Sequence, residues 1–236
     1  MQTGKTTPSP RRKFLGTIAT GAAAFGLLSF KPPMPASSSA FQSPVSGSPD
    51  PMEADKWFDQ VKGKHRIVYD CPRPNEIFPF AWPRVFLMTN AATGSKDSDC
   101  GVVVILRHDA ICYAMEDRLW AKYNFGEVMK AMDPKTKKPA VRNPFWKPAA
   151  GDFKIPGIGE VQIGIDQLQS SGVMFAVCDA AMTVFSAALA EGMKLQAADV
   201  KKEWYGGLLP GIQAVPSGVW AVGRAQEHKC AYCYAG

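Results

Sequence analysis

Ser171–Gly192 reads SGVMFAVCDAAMTVFSAALAEG. Its first half, Gly172 to Val177, is a continuous apolar run of the kind that forms a strand buried on both faces. Its second half changes period. Ala181, Val184, Phe185 and Ala188 fall on one face of a helix. Asp179 is placed to cap the start of that helix and Gly192 to end it. A buried strand passing directly into a helix is the building unit of an α/β sheet. Cys178 stands at the junction, either filling space or presenting a thiol at the mouth of a crevice.

The same alternation runs outward from this stretch. His65–Asp70 reads as a first strand, followed by a helical pattern from Asn75 to Ala92 that Pro79 and Pro83 disturb. Gly101–Leu106 (GVVVIL) is a second buried strand, and Ala110–Tyr123 a good helix. Glu160–Ser170 is a weaker helix and Ala197–Tyr205 a short one. Ile212–Val215 is a short strand, Ser217 caps a helix running to Glu227, and Cys230–Tyr234 forms a final strand. Strands alternating with helices predict a three-layer α/β/α fold around a mostly parallel sheet of about five strands. Ligands of such sheets bind beyond the carboxyl ends of the strands. That rule marks Asp70, Cys71, Arg107, His108, Cys178, Asp179, Pro216 and Ser217.

The formal charge of +6 comes mostly from the start of the chain. Residues 1–40 hold Lys5, Arg11, Arg12, Lys13 and Lys31 and no acid, which leaves 22 basic against 21 acidic residues elsewhere. A nucleic-acid partner therefore has no electrostatic motive. Arg11 and Arg12 precede Lys13-Phe14-Leu15 and a mildly apolar run to Phe30, too short and too rich in Gly and Ala for a membrane span. Residues 1–40 resemble a twin-arginine signal peptide, with residues 9–30 addressing the twin-arginine export machinery and a small-residue cleavage site near Ala40. The expected location is periplasmic or secreted. Residues 41–62 read as a flexible linker, and 63–236 as one domain.

Residues 133–157 (DPKTKKPAVRNPFWKPAAGDFKIPG) break the rhythm. Five prolines exclude a continuous helix, and six basic residues face two acids. A loop this long is commonly functional or disordered. Phe145 and Trp146 predict that part of it packs, onto the domain or onto a partner subunit; a flap over the crevice is another reading.

Six cysteines, Cys71, Cys100, Cys112, Cys178, Cys230 and Cys233, supply the candidate chemistry. A thiol at the start of a helix faces unpaired backbone amides, which favour a thiolate. His108, following the second strand, could share the crevice and act as a base. Arg107 would point to the opposite face if that strand continued. Cys230-Ala-Tyr-Cys233 is a CxxC pair, open to redox, metal or structural readings. In a regular strand its two cysteines face opposite sides and cannot pair. His228 could join a Cys/His metal site. Neither G-x-G-x-x-G nor G-x-x-x-x-G-K-[ST] occurs, nor G-x-S-x-G nor H-E-x-x-H, so nucleotide binding, serine hydrolase and zincin chemistry lack motifs.

Gly172–Met182, Gly192, Pro210–Gly218 and Arg224–Glu227 together resemble the carboxyl half of the DsrE/DsrF-like superfamily. The likeness spans residues 63–236 and is tightest over 165–234. It implies a persulfide carried on Cys178, passed between protein partners, and a homo- or hetero-oligomer. His108, Cys230 and Cys233 are the accompanying catalytic candidates. The alternative reading is an oligomeric module that binds a metal or small ligand without turnover. No cofactor is implied by name.

Overall fold

The computed structural model describes residues 49–236, which belong to one compact unit. The twin-arginine stretch, residues 9–30, lies outside the described residues, as does the linker as far as residue 48. Among the described residues no helix is long and apolar enough to cross a membrane.

β1 (His65–Cys71), β2 (Cys100–Leu106), β5 (Met174–Cys178), β6 (Ile212–Val215) and β7 (Ala231–Tyr234) form a five-stranded, all-parallel sheet in the order β6-β5-β2-β1-β7. Val102–Leu106 are buried to the last residue, as a central parallel strand requires. The chain begins in the middle of the sheet, steps outward to β6, and then crosses back so that β7 pairs with the far side of β1.

Helices cover both faces, giving the expected three-layer α/β/α architecture. One face holds the larger core. It receives α2 (Phe78–Ala92) through Phe80 and Leu87, a 3-10 segment (His108–Ala114), and α3 (Asp117–Tyr123) through Leu119 and Trp120. It also receives α4 (Phe125–Val128), α5 (Ile165–Ser170), α6 (Asp179–Met193) and α7 (Ala197–Gly206). The other face is covered by α1 (Pro51–Trp57) and α8 (Gly218–Glu227).

Three elements differ from the sequence reading. The stretch read as the end of a flexible linker folds as α1 and a 3-10 turn, Phe58–Gln60. Ala54, Phe58 and Val61 fall on one helical stripe and are buried against Ala221 and Ala225 of α8. The single helix read over Ala110–Tyr123 is two pieces hinged at Met115, which is extended and bridges to Leu208. Side chains take the carbonyls a continuous helix would use. Trp120 Nε1 donates to the carbonyls of Cys112 and Met115, and Asn143 Nδ2 to those of Tyr113 and Met115. The helix read over Glu160–Ser170 begins only at Ile165, because Gly159–Glu160 is β4, paired antiparallel with β3 (Lys154–Ile155).

The proline-rich insertion is part of the larger core. Phe145 is fully buried, its ring 4.2 Å from that of Phe80 and 5.3 Å from those of Tyr113 and Phe153. Arg84 of α2 anchors the return of the chain, donating to the Gln162 and Gln167 carbonyls and to Ser171 Oγ. The insertion packs onto its own domain through Phe145.

Candidate active site at the carboxyl end of the sheet

α6 leaves β5 toward one face of the sheet and α8 leaves β6 toward the other. Neighbouring strands whose connections part in this way open a crevice between their carboxyl ends. Cys178 and Pro216-Ser217 lie at that point. The Ala180 amide donates to the Pro216 carbonyl at 3.2 Å, and Ser217 Oγ caps α8 by accepting from the Trp220 amide at 3.2 Å.

Cys178 is the last residue of β5 and itself the N-cap of α6. Its backbone is extended, and its Sγ accepts from the Ala181 amide at 3.3 Å. The sulfur thus takes the position the sequence reading gave to Asp179. Asp179, in the first turn, does other work. Its Oδ1 lies 2.8 Å from Lys201 Nζ and also accepts from the Tyr205 hydroxyl. Burial, Asp179 and the Cys178 sulfur together hold the Tyr205 hydroxyl well above its ordinary pKa. Lys201 is only 4% exposed, so α7 delivers a buried cation to the first turn of α6. Cys178 is 6% exposed.

Arg107 stands on the other side, at the end of β2. The Leu106–Val177 pairing places Arg107 and Cys178 next along neighbouring strands. Arg107 remains extended, and its amide continues the ladder to the Cys71 carbonyl at 3.0 Å. Its guanidinium grips Asp70 through two bonds, Nε to Oδ1 at 2.6 Å and Nη2 to Oδ2 at 2.9 Å. The Tyr232 hydroxyl donates to the same Oδ2 at 2.9 Å. Tyr232, Asp70, Arg107 and Cys178 thus come from β7, β1, β2 and β5 in spatial sequence. The Asp70 hydrogen bonds raise the Arg107 pKa, burial opposes the rise, and the Cys178 sulfur adds to it. Gly218 permits this packing: a Cβ there would sit 2.4 Å from Arg107 Cβ.

His108, the expected base, is elsewhere. It takes a left-handed backbone, φ 49°, and its side chain is 65% exposed. It contacts Asp109 Oδ2 at 3.3 Å and stands edge-on to Phe185 of α6. No hydrogen bond joins it to Cys178.

Cys230 and Cys233 do not reach the site either. Cys233 stands opposite Tyr69 in β7, with β1 and β2 between it and β5, an interval of roughly 14 Å at ~4.8 Å per strand. Cys233 packs against the larger core and Cys230 is buried in the smaller one, so the pair is split across the sheet. Burial pushes the Cys230 thiol up to about 11 and raises that of Cys233. Neither is a resolving thiol for Cys178 in this arrangement. Burial also holds the Cys71 and Cys112 thiols well above their ordinary range. His228 tilts against the Phe58 ring and lies 4.0 Å from Asp59. Among the described residues no group of three or more His, Cys, Asp or Glu side chains converges to hold a metal ion. A cleft of about 340 Å³ opens at the opposite end of the sheet, lined by Lys62, Asp97, Cys100 and Ser171 among others.

The sequence marks Asp70 and Arg107 as strand-end residues, but the chemistry it points to is Cys178 assisted by His108, Cys230 or Cys233. That reading missed Tyr232, Lys201 and Tyr205 altogether. The signal for Arg107 was strand alternation; the other three depend on which elements become neighbours.

No family model matches the chain, and no curated protein matches it. Among solved structures it is similar to a protein of unknown function from Methanobacterium thermoautotrophicum, at 15% identity and a TM-score of 0.37. That alignment covers 72% of this chain and 98% of the other.

Proposed function

We propose that this chain is an exported DsrE-like protein that carries sulfur, or exchanges thiols, through Cys178. The supporting observation is the placement of Cys178 Sγ, which caps α6 at the crevice between β5 and β6 with Arg107 on the neighbouring strand. Each feature suits a sulfur nucleophile. The Ala181 amide donates to the sulfur at 3.3 Å, as a first-turn amide does to a cap. Arg107 and the Lys201–Asp179 pair fix the surroundings of the sulfur. Of the other described cysteines, Cys71, Cys112 and Cys230 are buried in core positions, which suits packing.

In this reading the Cys178 thiolate attacks a sulfane sulfur. A Cys–S–S bond forms, the donor's bond to that sulfur breaks, and the electron pair leaves with the rest of the donor. A partner thiolate then takes the outer sulfur and regenerates Cys178. The export reading rests on residues 9–30, and the homo-oligomer on the DsrE-like resemblance. The test is sulfur loading of the purified chain, followed by intact mass and peptide mapping after alkylation. Wild type gains a sulfur on Cys178 and Cys178→Ser gains none. Equal loading of both chains, or loading only on another cysteine, refutes the reading.

A further inference from the structure

The charges beside Cys178 pair off unevenly. Asp179 is matched by Lys201 and receives the Tyr205 hydroxyl as well. Asp70 is matched by Arg107 and receives the Tyr232 hydroxyl. Both carboxylates are therefore engaged from two sides. Arg107 is not. Asp70 occupies Nε and one Nη2 donor, while Nη1 has no hydrogen-bond partner among the described residues. The Arg107 side chain is 26% exposed, against 5% for its partner Asp70. Its orientation is fixed by the two-point grip of Asp70 and by contact with the start of α8 at Gly218. An arginine held by one edge, on the strand-end position next to that of a nucleophile, is arranged to take an anion on its other edge.

We infer that Arg107 is the specificity-determining residue of this site and that the species reacting at Cys178 is a small anion, its negative group seated on Arg107 Nη1. Asp70 and Tyr232 are positioning residues that act through Arg107. This inference rests on the reading of Cys178 as a sulfur-carrying thiol and names the class of donor: a sulfane sulfur bonded to an anionic group, as in thiosulfate. The step balances without an oxidant. The thiolate attacks the outer sulfur of thiosulfate, a Cys–S–S bond forms, the S–S bond of thiosulfate breaks, and its electron pair departs with sulfite. Cys178 is left as the perthiolate.

The test separates charge recognition from sulfur chemistry. Iodoacetate and iodoacetamide are close in size, and both alkylate a thiolate with loss of iodide, but only iodoacetate is anionic. Their rates at Cys178 are measured on the full chain by peptide mapping. The wild-type iodoacetate-to-iodoacetamide ratio is expected to exceed that of a free cysteine peptide. In Arg107→Gln the ratio falls about tenfold to a hundredfold, the equivalent of one charge-assisted hydrogen bond. Arg107→Lys keeps the charge and gives an intermediate ratio. A merely structural role would slow or speed both reagents together and leave the ratio unmoved. A wild-type ratio no greater than the free peptide's overturns the inference even where the Gln variant does not fold, and so does an unchanged ratio in a folded Gln variant. Thiosulfate loading forms the second arm. If the ratio behaves as expected but wild type takes no sulfur from thiosulfate, the anion seat stands and thiosulfate-type donation falls. If wild type and Arg107→Gln load equally, sulfur carriage stands and the role of Arg107 falls.

Discussion

Phe145→Ala tests whether the proline-rich insertion is structural. Phe145 is fully buried and touches three other rings: Phe80 at 4.2 Å, Tyr113 edge-on at 5.3 Å, and Phe153 stacked at 5.3 Å. Truncation removes the transfer energy of the ring and leaves a cavity among side chains already committed to neighbours. Such losses cost about 3–5 kcal/mol. The backbone is undisturbed, since the Phe145 amide bonds Asn143 Oδ1 and its carbonyl receives the Ile165 amide whatever the side chain. A loss of about 4 kcal/mol lowers Tm by roughly 8–16 °C in a domain of this size. It lowers the urea midpoint by about 2 M at a slope near 2 kcal/mol/M. Urea unfolding followed by tryptophan fluorescence measures the shift, with an unchanged slope as the check that the unfolded reference is the same. A loss below about 1 kcal/mol would mean that the ring faces solvent or a partner, and that the segment is a peripheral arm.

Gly218→Ala places a methyl 2.4 Å from Arg107 Cβ and 2.8 Å from its Cδ. Either α8 or Arg107 must give way, at a cost of about 1–3 kcal/mol in urea unfolding. The iodoacetate preference of Cys178 should fall with it; an unperturbed preference and full stability would show that Arg107 does not lie against α8. The buried thiol of Cys230 supplies a pH dependence. The folded chain keeps that proton to about 11, whereas the unfolded thiol releases it near pH ~8.5. The unfolded state therefore loses protons first, and its contribution to stability is full below pH ~8.5 and declines as pH rises toward 11. Urea midpoints from pH 7 to 10 should fall more steeply for wild type than for Cys230→Ala; parallel curves would refute the assignment.

The layers of this fold are legible in the sequence because burial leaves a period. Val102–Leu106 and Val173–Val177 are apolar throughout because they lie in the sheet interior. The α6 helix is legible, but its buried face is not the one the sequence suggests: Met182, Ser186 and Ala190 meet the core, while Val184 of the stripe Ala181, Val184, Phe185 and Ala188 is 66% exposed, because the apolar stripe is wider than the face the sheet covers. What periodicity cannot show is an apolar segment that packs without regular structure. Phe145, Phe153, Val161 and Ile163 are buried in the larger core. Prolines between and around them read only as a prohibition on helix. The stripe of Ala54, Phe58 and Val61 was present, but a Pro-, Ser- and Gly-rich approach outweighed three spaced residues.

The site was less legible for a different reason. The rule about strand ends reaches Asp70, Arg107 and Cys178 without a structure. Choosing among them requires knowing which side each faces. Alternation along β2 puts Arg107 on the side away from Val104 and Leu106, and His108 would face the opposite way if the strand ran on. The strand stops, however, and His108 turns out at φ 49°. Strand order then decides the rest. Because β7 crosses back to pair with β1, Tyr232 meets Asp70 across 162 residues of sequence. The same alternation that splits Cys230 from Cys233 aims Tyr232, which lies between them, toward the carboxylate that holds Arg107. The CAYC stretch thus bears on the candidate site through its tyrosine, while its cysteines fall on opposite sides of the sheet, Cys230 buried in the smaller core and Cys233 half-buried against the larger one.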